Sequence, residues 1–416
     1  MIRNLLLCFV IVPIFLTAQP RQNFILSEIN FLKERGGYEL NYSFRIPYER
    51  LVFQKDHDGY ITSFRLNIEV MDSTGKFLTR GVTTKKIVAY SYDETISRDL
   101  FAEGLIKLNV TQTHLTILPV FTDVVTNQEL KTQPILPNKL KDESSFLSPL
   151  VIQSNRIDCN NSKKMKLVNY GGSVPFDNKS FDLIIPTYDT SASFVKCVMI
   201  NNADTVFNSI LTDGTISGLE IIECDGSIYL NEFGEKLKFY TFKNFNSNLE
   251  EGNLIIQLSS NDSSNDKYVF SKRVKWFNKP FILEHQEISS RVLKYIEDDD
   301  TVSELLRADE DKFMNKLLKV WQKYDPTEQT KYNELMEQFY IRVDYSLMNF
   351  STITGKAGWE TDRGEVYIKY GSPGEIKRSS DDKGKVVETW IYKDANTQFS
   401  FIDKTGTGEF VFVSQK

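Results

Sequence analysis

Two carboxylates, Asp362 and Glu375, bracket the stretch of this chain with the most chemistry in its residue types. Between and beside them lie Trp359, Arg363 and, further on, Trp390. Paired carboxylates are the apparatus of glycoside hydrolysis, one serving as acid and the other as base or nucleophile. In that reading Arg363 holds an anionic or sugar substrate and Trp359 or Trp390 stacks on it. The same residues have a structural reading. Buried polar residues at turns ordinarily satisfy backbone groups, so Asp362 caps backbone amides, Arg363 makes an internal pair and both tryptophans fill the core. The structural reading is the one adopted here, and no catalytic residue is assigned.

Other chemistries find less support. The chain has three histidines, His57, His114 and His285, on different elements, which gives neither a metal cluster nor a triad. "GGSVP" around Ser173 lacks the second glycine of a nucleophile elbow. "TGKAG" lacks the spacing and the hydroxyl of a phosphate-binding loop. "DHDGY" reads as a hairpin turn, not half of a calcium loop. No metal or cofactor is expected. A net charge of −6 gives no reason to expect nucleic-acid binding.

The elements that must position these residues follow from periodicity. The chain opens "MIRNLLLCFVIVPIFLTAQP", a basic residue, an apolar run and a small-residue site ending at Ala18. This is the layout of a secretory signal over residues 1–18. No later segment approaches the roughly 20 apolar residues of a spanning helix, so the mature chain is expected to be exported, with peripheral membrane association left open. Periplasmic, outer-membrane-associated and extracellular residence all fit. Residues 20–140 alternate strictly: Leu40, Tyr42, Phe44 and Ile46 oppose Asn41, Ser43 and Arg45, and "SFRLNIEV" repeats the pattern. Such runs predict strands with one face buried, in an immunoglobulin-like β-sandwich. After the connector "PNKLKDESS", residues 147–280 read as a second sandwich. Its three cysteines, Cys159, Cys197 and Cys224, are compatible with one disulfide in an oxidising compartment.

Past Pro280 the pattern turns helical. Thr301 and Glu304 predict a capping box opening a helix through Trp321, and Asp325-Pro326 predicts the next start. Leu335, Phe339, Val343 and Leu347 share a helix face that ends near Phe350. The acidic run Glu297 to Asp300 reads as a solvated linker. "EVYIKYG", "VVETWIYK", "FSFID" and "EFVFVS" read as strands, so residues 281–416 form helices packed on a small antiparallel sheet. The whole is mainly β with a C-terminal α+β module.

In "GKAGWETDRGEVYIKYGSPGEI" each residue then has a structural role. Gly355 and Gly358 let Trp359 turn into the core, Thr361 or Asp362 caps, and Gly364 supplies a left-handed residue before a strand bearing Tyr367 and Tyr370. Gly371 follows, and Ser372-Pro373-Gly374-Glu375 reads as a type II turn. "GWETDRG" followed by "VYIKYGSPGEI" resembles the signature of the GWxTD-domain proteins, an exported bacterial family. The resemblance covers about residues 283 to 403, with the helical lead-in "VWQKYDPTEQTKYNELMEQFYIRVDYSLMNF", and extends weakly to "FRIPYERLVFQKDHDGY". Gly358, Trp359, Thr361, Asp362, Arg363 and Gly364 match the motif, while Ser372 and Gly374 depart from the proline and acidic residue common there. The resemblance implies envelope or extracellular residence and this domain order, but no activity. The expected function is therefore non-catalytic binding or assembly, with another envelope protein or a surface glycan as partner. The alternative is a carbohydrate- or peptidoglycan-directed hydrolase using Asp362 and Glu375.

Overall fold

The computed structural model describes residues 24–34, 36–137, 146–159, 162–233, 237–260 and 267–416. The expected signal segment and all but the first residue of the polar connector lie outside the described residues. The chain forms two compact units, Met1–Lys141 and Asp142–Lys416.

The first unit is two antiparallel sheets. Leu26–Glu34, Gly37–Pro47 and Phe101–Val110 make one, and Gly59–Asp72 organises the other with Gln54–Asp56, Phe77–Ala89, Leu115–Asp123 and Glu129–Lys131. The alternation read from sequence places Leu40, Tyr42, Phe44 and Ile46 against Phe64, Leu66, Ile68 and Val70, all fully buried in one core. "DHDGY" forms the expected hairpin, with Asp56 paired to Gly59 across the His57-Asp58 turn. One expectation fails: Asn41 and Ser43, on the opposite face, are also fully buried. Gly37–Pro47 is the central strand of its sheet, and both of its faces are covered.

The second unit begins with sheets of seven and five strands. Phe181–Thr187, near the middle of the larger sheet, is buried at every residue, Asp182 and Thr187 included, and so its Leu183-Ile184-Ile185 run shows no alternation. Val195, Cys197 and Met199 from the smaller sheet pack into the same core. Cys159 and Cys224 are joined in a disulfide that packs beside Tyr229, and Cys197 is free and buried.

At Pro280 the backbone enters a 3-10 turn, Phe281–Glu284, as the sequence predicted. Helices Gln286–Arg291, Asp299–Leu306, Glu310–Gln322, Glu334–Phe350 and Asp362–Tyr370 follow, then a four-stranded meander in the order Glu375–Ser380, Val386–Tyr392, Thr397–Asp403, Phe410–Gln415. Two predicted helix starts moved, and one expected helix is broken in two. Asp298, not Thr301, caps the helix at Asp299, accepting from the Thr301 amide at 2.8 Å. The single helix expected through Trp321 is two, broken between Leu306 and Glu310. Asp325 holds only a local turn, accepting from the Thr327 amide, and the long helix starts at Asn333, whose side chain accepts from the Met336 amide. Glu297 is not a solvated linker residue, because its side chain is buried against Lys323 at 2.7 Å.

The bridge joins residues 65 apart. On the chain-entropy account, replacing both Cys159 and Cys224 by serine lowers unfolding free energy by about 4 kcal/mol, measured by denaturant titration. Burial pushes the Cys197 thiol up to about 12 from 9.0. Its neutral thiol therefore favours the folded state fully below pH 9, and that contribution is lost as pH rises toward 12. At pH 8 a thiol reagent is expected to modify Cys197 only after denaturation.

Candidate functional site

The stretch containing Trp359 is a junction between two helices. The long helix Glu334–Phe350 ends, the chain loops out through Gly355 at φ +92°, and it returns to lay Gly358 against the helix it has just left. A methyl group added at Gly358 would strike the Ser346 carbonyl, and one at Gly364 would strike the Gly358 carbonyl. Only glycine allows this stacking of backbone on backbone. Thr361 then joins both glycines: its hydroxyl donates to the Gly358 carbonyl at 2.8 Å and accepts from the Gly364 amide at 3.1 Å. Ser351 completes the junction, donating to Leu347 O and accepting from the Gly358 amide at 2.9 Å. Trp359 is buried among Leu293, Val343 and Ile368, and its carbonyl accepts from the Tyr295 hydroxyl at 2.6 Å.

Here the sequence expectation is corrected. "EVYIKYG" is not a strand: Asp362–Tyr370 is a helix capped by Thr361. Asp362 and Glu365 sit in its first turn and Lys369 in its last, the arrangement a helix dipole favours. Over so short a run, alternation of Val366 and Ile368 cannot be told from helical periodicity, and the caps decide. Gly364 is consequently a helix residue chosen for close approach, not a left-handed one. The left-handed glycine is Gly371, at φ +81°, which ends the helix. Gly374 has no positive φ, so the type II turn at Pro373-Gly374 does not form. Arg342 reaches across from the long helix to the Ile368 and Lys369 carbonyls at 3.2 and 3.3 Å, and the Tyr392 hydroxyl donates to Gly371 O at 2.9 Å.

Arg363 is the electrostatic centre. Its guanidinium lies over the Phe410 ring at 4.2 Å and the Phe350 ring at 5.0 Å, pairs with Glu388 at 3.3 Å, and donates to Gly408 O at 3.2 Å. Burial lowers its pKa and the Glu388 carboxylate opposes that shift, but a guanidinium stays charged. Glu388 is itself buried; Arg378 donates to its Oε1 at 2.9 Å, and the Trp390 indole donates at 3.4 Å to Oε2, the oxygen that Arg363 also meets. Glu388 was missed by the sequence reading, although it shares strand parity with Trp390 and Tyr392 on an apolar face. A lone acid in that register is a signal for a buried partner. Around this pair Tyr367 stacks on Tyr345 at 4.3 Å and packs edge-on to Phe350, and Trp390 meets Phe401 at 5.0 Å.

Asp362 and Glu375 are not brought together. The Asp362 carboxylate accepts from the Phe412 amide at 2.7 Å, on one edge strand of the sheet. Glu375 begins the opposite edge strand, exposed and 3.7 Å from Lys377. Three strand spacings separate those edges by roughly 14 Å, beyond the ~5–9.5 Å at which two carboxyl groups act on one glycosidic bond. Among the described residues no group of three or more His, Cys, Asp or Glu side chains is arranged to hold a metal ion. Ser173 is buried and donates to the Tyr170 carbonyl, an ordinary turn contact.

Helices held together at Gly358 and Gly364 and docked through aromatic rings on a four-stranded sheet, with a buried arginine-carboxylate pair between the two layers, define a small α+β module. Residues 253–412 match the GWxTD domain, and this part of the chain belongs to that family. No curated protein matches the chain.

Gly364→Ala is expected to destabilise the protein by about 1–3 kcal/mol or more, because the clash is with backbone and cannot be relieved by a rotamer change. Thr361→Ala should cost about 1 kcal/mol and Thr361→Ser much less. Trp359→Ala should cost about 3–5 kcal/mol. Thermal and denaturant unfolding of the variants measure all four.

Proposed function

We propose that this protein is an exported, non-catalytic binding or assembly component of a cell envelope, whose partner is another envelope protein or a surface glycan. One observation carries the reading: the polar side chains of the motif are engaged in holding the module together. Thr361 ties Gly358 to Gly364, Asp362 anchors the edge strand at Phe412, and Arg363 is enclosed by Glu388, Phe350 and Phe410. Contacts of this kind are what a structural role of the motif requires.

The proposed compartment draws support from the apolar N-terminal run and from the Cys159–Cys224 disulfide, a bond that persists in oxidising surroundings. Among the described residues no helix is long and apolar enough to cross a membrane. The hydrolase alternative has no comparable observation behind it, since Asp362 bonds one edge strand of the sheet while Glu375 begins the opposite one.

Gentle affinity purification of the tagged mature protein from its native envelope tests the reading. A partner recovered in stoichiometric amount by the wild type, and equally by Asp362→Asn, is the expected result. A folded Asp362→Asn protein that keeps its partner but loses cleavage of an envelope glycan shown by the wild type would overturn it.

A further inference from the structure

Within the second unit, loops of the sandwich and the approach to the long helix enclose a cleft of about 230 Å³. Its lining includes two aromatic rings. Phe176 and Tyr332 pack ring to ring at 5.1 Å, with Trp276 behind them at 5.6 and 5.5 Å. Its walls are amides and hydroxyls, from Asn178 and Ser180 on one loop, Asn244 and Ser247 on another, and Thr330 on a third.

These walls are fixed before any ligand arrives. Asn246 accepts from the Phe181 amide and donates to Lys179 O, both at 2.9 Å, locking the first two loops together. The Ser180 hydroxyl donates to the Asn244 side chain at 3.1 Å, and the Asn244 amide donates to Asp182 at 2.9 Å. Asn244 itself is held at φ +48°. The Lys331 amide donates to Ser247 O at 3.0 Å, tying the third loop to the second. By contrast, the exposed Asn178 side chain makes no hydrogen bond to the described residues.

The charge balance narrows the ligand class. Lys179 lies 3.4 Å from Asp177, so the one cation and the one anion of the lining answer each other. A rigid concave site with apolar lining and a few placed polar groups binds small polar molecules with little ordering cost. Aromatic faces accept C–H surfaces, while amides supply donor and acceptor together. We infer that this cleft is a subsite for one sugar ring of a neutral glycan. The C–H face of the sugar rests on Phe176, and its hydroxyls bond to Asn178, Asn244 and Ser247. The inference rests on the binding reading above and gives it a place and a ligand class.

Titration of the mature chain tests it, with saturation-transfer NMR as the readout. The probes are glucose, galactose, N-acetylglucosamine and their soluble oligomers, with glucuronate as the charged control. Isolated envelope polysaccharide in a co-sedimentation assay separates a glycan-borne ligand from a free sugar. Asn178→Ala, at an exposed position, should weaken binding about tenfold, the effect of one hydrogen bond. Asn178→Trp should abolish binding by filling the cleft. Saturable binding of a neutral sugar that both variants reduce supports the inference. Binding unaffected by either variant, or equal binding of glucuronate, overturns it. If no neutral sugar binds, the inference falls, while a protein partner recovered by affinity purification leaves the broader binding reading intact.

Discussion

The C-terminal module depends on one steric constraint: two backbone segments touch where Gly358 and Gly364 have no side chains. Gly358 lies on the last turns of the long helix, and Gly364 lies on Gly358. That contact sets where the short helix starts and how it is inclined, and the Thr361 hydroxyl fastens it at both ends. Trp359 follows into the helical core because the residue before it has nowhere else to go. On the other side of the short helix, Val366 and Tyr367 face Phe350, Trp390 and Phe401, so the sheet docks on the helices through an aromatic layer.

A buried ion pair crosses the same layer. Glu388 cannot be buried alone, and two arginines, Arg363 and Arg378, answer it. Such a pair adds little net stability over an apolar substitute, but breaking it by removing one partner is expensive. Its use here is registry: Arg363 on the helix finds Glu388 at one position of one strand and the Gly408 carbonyl in the loop that joins the last two strands. Asp362, one residue earlier, fixes the edge strand through Phe412. The motif is thus an assembly instruction for helix, sheet and loop together. The sugar-sized cleft proposed above lies in the same unit and uses none of these residues.

Much of this architecture was legible beforehand. Alternation found the strands of both sandwiches because one residue in two must be apolar where a sheet packs on one side. The strand Phe181–Thr187 shows no such alternation, because every one of its residues is buried. The long helix was read correctly from Phe339 and Val343 to its end at Phe350. Helix starts were read poorly. Asp, Asn, Ser and Thr crowd these loops, each able to cap, and the one that does so is the one packing leaves at the helix entrance. Asn333 prevails over Asp325 because its side chain also reaches the Trp321 carbonyl at 3.0 Å, a contact invisible in sequence.

The sequence by itself determined the β-rich body, the switch to helices at Pro280 and the importance of the Trp359–Gly364 stretch. Those are matters of local periodicity, backbone freedom and composition, which neighbouring residues carry. The tertiary structure alone decided that "EVYIKYG" is a helix, that Arg363 belongs to Glu388, and that Asp362 bonds one edge strand of the sheet while Glu375 begins the other. Each of these depends on which distant segment lies opposite: a seven-residue run fits both periodicities, and an arginine can pair with any acid the fold delivers. Distance in space between residues remote in the chain is set by packing, and packing is where the sequence stops speaking one residue at a time.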